Sequence, residues 1–156
     1  MSVATTVQNA CSQEGCAFEV VTHAHTTYSQ QTAESAHIPG DLLAKGVVVG
    51  DDRGPVLAVI PASHSLDVGR LNEMLGRKLS LVSEDDLYKL FNDCAPGAVP
   101  PLGTAYNMLT VTDTALLNQS EVWFEGGDHE SLLHMSGEAF RRLMRNGGSG
   151  PISHHA

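Results

Sequence analysis

The stretch KGVVVGDDRGPVLAVI, residues 45–60, decides the fold. Two β-branched apolar runs, Lys45 to Val49 and Val56 to Ile60, flank a linker of turn formers, Gly50-Asp51-Asp52-Arg53-Gly54-Pro55. Short apolar runs separated by such residues predict an antiparallel hairpin.

Downstream, Leu66 to Leu75 places Val68, Leu71, Met74 and Leu75 on one helical face, with Gly76 as a stop. Ser83 predicts a helix start, with Glu84, Asp85 and Asp86 in the first turn, where negative charge suits the helix dipole. Asp93 to Gly103 reads as a Pro- and Gly-rich loop. Short strands are expected near Leu109–Thr112, Glu121–Phe124 and Leu132–Met135, the last after the turn Gly126-Gly127-Asp128. Ser136 then caps a helix whose apolar face is Phe140, Leu143 and Met144. Upstream, Val3, Val7, Ala10 and Cys11 recur at helical spacing, Phe18 to Thr22 reads as a strand, and Gln30 to His37 as a short helix stopped by Pro39-Gly40. Helices and strands alternate irregularly around a hairpin, so the fold class is mixed α/β with a mixed sheet. One domain over residues 1–145 is expected, with residues 146–156 as a flexible tail.

The chain has 156 residues, 42% hydrophobic and 17% charged, enough for one buried core. Its apolar runs are too short to cross a bilayer, and Met1 to Ala10 lacks the features of a secretory signal. Cys11, Cys16 and Cys94 show no CxxC spacing and read as free thiols, so a cytoplasmic protein is expected. A net charge of -9 argues against gripping a long phosphate backbone such as DNA, since that binding rests on many cations. Contact with a single terminal nucleotide stays open.

Three constellations bear on chemistry. His23, His25 and His37 invite a metal, but they lack a recognisable ligand spacing and read rather as polar residues near a strand end. Gly148-Ser149-Gly150 lacks the strand-to-helix context of a nucleophile elbow. Lys45, at the start of an apolar strand, gains interest beside Gly97-Ala98-Val99-Pro100-Pro101. A loop with Gly first and Pro fifth can be held rigidly, with the Ala98 and Val99 N–H groups facing outward toward a developing oxyanion.

In order and spacing, these segments resemble the YbaK/prolyl-tRNA synthetase-associated editing family. The resemblance runs from about Phe18 to Met144. It rests on Thr32-Ala33-Glu34-Ser35-Ala36, Lys45 entering Val47-Val48-Val49, Val59-Ile60-Pro61, Asp67 to Gly76, Gly97-x-x-x-Pro101-x-Gly103, Asp113 before Leu116-Leu117, and Gly126-Gly127. It implies a curved mixed sheet, or partial barrel, flanked by helices and holding a small pocket. It also implies hydrolysis of the ester joining a wrong small amino acid, such as Ala, Ser, Thr or Cys, to tRNA. Carried over, Lys45, Gly97 and Pro101 are the catalytic positions, and Thr26, Tyr28, Gly46, Ala98, Val99 and His129 contact substrate. No cofactor is expected. The implied partner is the acceptor end of a mischarged tRNA, with an aminoacyl-tRNA synthetase or elongation factor left open.

Two alternatives stand beside this reading: a non-catalytic accessory of the same fold that binds a tRNA end or a synthetase, and a metal-dependent hydrolase built on the three histidines. The acidic charge also predicts a shallow salt response for tRNA binding. A plot of log affinity against log salt should have a slope matching only one or two phosphates, at about 0.7–0.9 each. A slope several times steeper would contradict contact confined to the acceptor end.

Overall fold

The computed structural model describes residues 2–26 and 29–156. In chain order it contains α1 (Thr5–Gln13), β1 (Glu19–Thr22), α2 (Ser29–Ala36), β2 (Leu43–Asp51), β3 (Gly54–Pro61), β4 (His64–Leu66), α3 (Val68–Leu75), β5 (Ser80–Leu81) and α4 (Glu84–Leu90). There follow β6 (Leu109–Asp113), α5 (Thr114–Leu117), β7 (Glu121–Glu125), β8 (Ser131–Ser136), α6 (Gly137–Met144), β9 (Gly148–Gly150) and β10 (Ser153–His155). The main sheet runs β1-β8-β7-β2-β3-β6-β9, with β5 also paired to β2, and β10 pairs with β4 in a second small sheet.

The expected hairpin is the β2–β3 pair, in register from Ala44 opposite Pro61 to Asp51 opposite Gly54. Its turn is fastened by Arg77, whose guanidinium grips the Asp51 carboxylate and donates to Gly54 O at 2.8 Å. That guanidinium holds the Asp51 carboxyl down, at about 2.

Strand β3 has no polar side because both its faces are covered. Leu57 and Val59 pack into the larger core with Phe124, Phe140 and Leu133. Val56, Ala58 and Ile60 enter a second core with Leu71, Val111 and Ile152 on the other face. Burial of each large aliphatic side chain contributes about 1.5–3 kcal/mol before entropy is counted, so this strand is the centre of the fold.

On its other edge β2 is paired only at its ends. Parallel β7 takes Leu43 and Ala44, and antiparallel β5 takes Val49 and Gly50. Among the described residues Lys45 to Val48 have no strand partner on that side, although Val48 O accepts from Val82 N at 3.2 Å. The sheet is mixed, as its irregular alternation predicts: β2–β7, β3–β6 and β6–β9 are parallel and the remaining pairs antiparallel.

Helix ends follow the sequence closely. Ser83 and Ser136 accept from Asp86 N and Ala139 N as N-caps, and Gly76 closes α3 in the left-handed region. Most other boundaries shift by a residue, and two differences have a tertiary cause. Leu66 belongs to β4, because Asp67 caps α3 and its own N–H bonds to Ile152 O at 2.7 Å. The C-terminal residues do not fray but form β9 and β10.

Asp113 explains that order. It is 3% exposed. Its Oδ1 accepts from Ala115 N at 2.8 Å, and its Oδ2 accepts from Ile152 N at 3.1 Å and Ser153 Oγ at 2.6 Å. A small, Gly-rich tail gives no local signal for this, since its bonds reach a carboxylate about 40 residues away. Asp113→Ala should therefore lower stability by roughly 2–4 kcal/mol, through loss of a cap and of charge-assisted bonds. A urea melt gives the value, and a change below about 0.5 kcal/mol would mean the tail is held otherwise.

Candidate active site

A cavity of about 360 Å³ opens where β2 lacks a strand neighbour. Thr26, Thr32, Lys45, Gly46, Gly97, Ala98, Val99, Glu125 and His129 are in its wall, closed by apolar Leu43, Ala44, Val47, Ala62 and Leu132. Lys45 and the 97–99 loop, about 50 residues apart in sequence, thus share one site. Tyr28 lies outside the described residues.

Lys45 Nζ donates to Ala62 O at 3.4 Å and makes no ion pair among the described residues. Partial burial lowers its pKa below the ordinary lysine value. A cation held by one carbonyl and half removed from water favours an incoming anion.

The loop is fixed from three sides. Ala98 N donates to Ala95 O at 3.0 Å across Pro96 and Gly97, whose φ is +80°. Pro then Gly with that positive φ is the pattern of a type II turn, which only glycine adopts freely at its third position. Ala95 N donates to Gly127 O at 2.7 Å, and His129 Nε2 donates to Pro96 O at 2.8 Å. This bond places the proton of a neutral His129 ring on Nε2 and leaves Nδ1 as an acceptor.

Two expectations are corrected here. The Ala98 N–H does not face outward, because the turn consumes it. The Gly97 and Val99 N–H groups are the ones with no partner among the described residues. Pro101 is buried and not in the cavity wall, so its effect on the site passes through the course of the loop.

Glu125, which sequence reading passed over, supplies the cavity's carboxylate. Its Oε2 accepts from Gly127 N at 2.7 Å, Asp128 N at 3.1 Å and His129 N at 3.2 Å. Its Oε1 has no hydrogen-bond partner among the described residues. An acidic residue just before Gly126-Gly127-Asp128 was the available signal, since a turn with free amides calls for an acceptor. The same turn leaves His129 with φ +63° and 6% exposure, its ring 5.2 Å from that of His25. Thr26 and Thr32 close this side through their hydroxyls at 2.5 Å.

His23, His25 and His37 do not form a metal centre. Among the described residues, the grouping able to share an ion is Asp41, His64 and His155, outside the cavity wall. The thiols are equally unsuited to catalysis. All three cysteines are buried and unpaired. Burial pushes Cys94 up to about 12 and Cys11 up to about 11.

A family model described as an aminoacyl-tRNA editing domain matches residues 23–143. Among curated proteins, none matches the sequence significantly. Among solved structures, the chain is similar to one described provisionally as a trans-editing enzyme for prolyl tRNA synthetase, with TM-score 0.82 and 22% identity over 98% of this chain and 99% of that one. A protein described only as hypothetical has TM-score 0.83 and 21% identity over 96% and 99%. At such identities these two likenesses are ones of fold.

Gly46 sets the wall geometry. A Cβ there would come 2.8 Å from Val99 Cγ1 and 2.9 Å from Leu57 Cδ1. Gly46→Ala should cost about 1–3 kcal/mol by overpacking. Adding Val99→Ala should recover part of that loss in a double-mutant cycle of denaturation free energies. Strictly additive effects would show that the contact does not govern the wall.

Proposed function

The chain belongs to the aminoacyl-tRNA editing domain family, and we propose that it is a deacylase that hydrolyses the ester of a tRNA mischarged with a small amino acid. The observation that carries the reading is the meeting of Lys45 with the free Gly97 and Val99 amides across one small cavity.

An aminoacyl ester is already activated. What hydrolysis needs is water held against the carbonyl carbon and donors aimed at the oxygen that becomes negative. The Gly97 and Val99 N–H groups supply neutral donors on a loop braced by Gly127 O and His129. Lys45 supplies positive charge, either to the ester oxygens or to the terminal phosphate of the acceptor end. Glu125 is suited to the substrate's own ammonium, because Oε1 is uncommitted while Oε2 is pinned. An ammonium near Glu125 and an oxyanion near Lys45 fits the charge pattern of an aminoacyl ester passing through its tetrahedral intermediate.

No buried thiol or serine of an elbow motif is needed as nucleophile. The size of the cavity and its Thr26, Thr32, Ala98 and His129 wall favour small side chains such as those of Ala, Ser, Thr or Cys. One methylene gives only modest discrimination in an apolar pocket, so hydroxyl-bearing and purely apolar substrates are distinguished by the threonines and His129.

Lys45→Ala should reduce single-turnover deacylation by about 10²–10³-fold if the ammonium steadies the oxyanion. If it holds phosphate, affinity falls and the chemical step is less affected. Lys45→Arg should not restore the wild-type rate, because a planar guanidinium fits the half-buried position differently. The measurement is made over a panel of mischarged tRNAs. A Lys45→Ala protein with wild-type rate and affinity on a confirmed substrate would remove the centre of the proposal.

A further inference from the structure

Outside the cavity, the second sheet assembles three side chains from distant parts of the chain. In the β10–β4 pair His155 stands opposite His64, and their rings lie 5.1 Å apart. Asp41, from the short turn Gly40–Leu42 that leads into β2, places Oδ1 3.3 Å from His155 Nε2. One ligand atom from each of the three lies within 4.8 Å of the others. We propose that Asp41, His64 and His155 form a binding site for a divalent transition-metal ion of the zinc type.

The chemistry of the donors selects the ion. Two imidazoles and one carboxylate suit zinc, cobalt or nickel rather than calcium or magnesium, which prefer all-oxygen shells. Tetrahedral bonds of about 2.0–2.1 Å place ligand atoms about 3.4 Å apart. The Asp41–His155 separation already matches this, and the third ligand needs only a modest side-chain adjustment.

The orientation of His64 is the stronger argument. Its Nδ1 lies 2.8 Å from Ser153 Oγ, and Ser153 donates its only proton to Asp113 Oδ2 at 2.6 Å. Ser153 must therefore accept from His64 Nδ1–H. A neutral His64 then carries its lone pair on Nε2, the atom left to bind an ion. Metal-binding histidines are fixed by donating their far N–H to an outer-shell acceptor, and here that acceptor is a serine hydroxyl backed by the Asp113 carboxylate. Ser63 Oγ likewise donates to Asp41 and restrains it.

An ion here would clasp the last strand to the turn entering β2. Ser63, which also bonds to Gly40 O and receives Ala156 N, follows the cavity residue Ala62, whose carbonyl holds Lys45. The site would thus brace one wall of the cavity without contributing a group to it. Three protein ligands leave a fourth position for water.

The test uses the full chain, stripped with a chelator and titrated with zinc against a chromogenic competitor. One zinc per chain is expected, with a rise of a few degrees in melting temperature under excess metal. Cobalt should give the absorption bands of a tetrahedral site. His64→Ala and His155→Ala should each weaken zinc at least tenfold. His154→Ala should leave it unchanged, since alternate residues of a strand face opposite sides. Absence of saturable one-to-one binding, wild-type affinity in His64→Ala, or dependence on His154 instead would each overturn the site.

Discussion

The structure turns on a strand paired along the whole of one edge and only at the two ends of the other. β2 is held by β3 throughout, so it cannot shift without opening both cores. On its far side β7 and β5 leave Lys45 to Val48 without a strand among the described residues. That gap is where the cavity lies, and the Gly97–Val99 loop comes up against Gly46 there. A continuous sheet would have no space at this point; a frayed one would not hold a lysine in place. Rigidity on one edge and a vacancy on the other are both needed.

The loop facing the gap is rigid for a related reason. Its turn is closed by the Ala98 N–H, and its leading residues Ala95 and Pro96 are tied to the Gly126–His129 segment through Gly127 O and the His129 ring. That segment is itself wrapped around the Glu125 carboxylate. One acidic side chain thus organises the turn that positions the histidine, which positions the loop that offers the free amides. Preorganised donors of this kind need little rearrangement when charge develops on a substrate, which is how such sites gain over water.

The electrostatic character of the site differs from that of the whole chain. The chain carries a net charge of -9, whereas its cavity holds the half-buried ammonium of Lys45, which makes no ion pair among the described residues. Long-range attraction to a polyanion is weak in such a molecule, whereas short-range attraction at Lys45 is strengthened by partial desolvation. This distribution suits the proposed reading, in which the end of a nucleic acid is recognised rather than its length.

By itself, the sequence determined the principal elements and the class of fold, though not the short β4, β5, α5, β9 and β10. The β-branched runs around Gly50 to Pro55 specify the hairpin, Ser83, Ser136 and Gly76 specify helix ends, and irregular alternation specifies a mixed sheet; all of these act over a few residues, where pattern and propensity operate. Lys45 and Gly97 stood out by position, but nothing local states that they meet, and only the tertiary structure brings them together. Local pattern also misled where bonding partners were remote. The tail appears loose until Asp113 is seen to bind it, and Pro101 looked like part of the site until the loop carried it into the interior. Ala98 is the exception that proves instructive, since Pro96-Gly97 already announced the turn that takes its N–H. Glu125 and the Asp41, His64 and His155 grouping were decided by the tertiary structure alone, because a carboxylate's capture of three amides and a ligand set drawn from three segments are set by how distant strands pair, and no spacing along the chain encodes that.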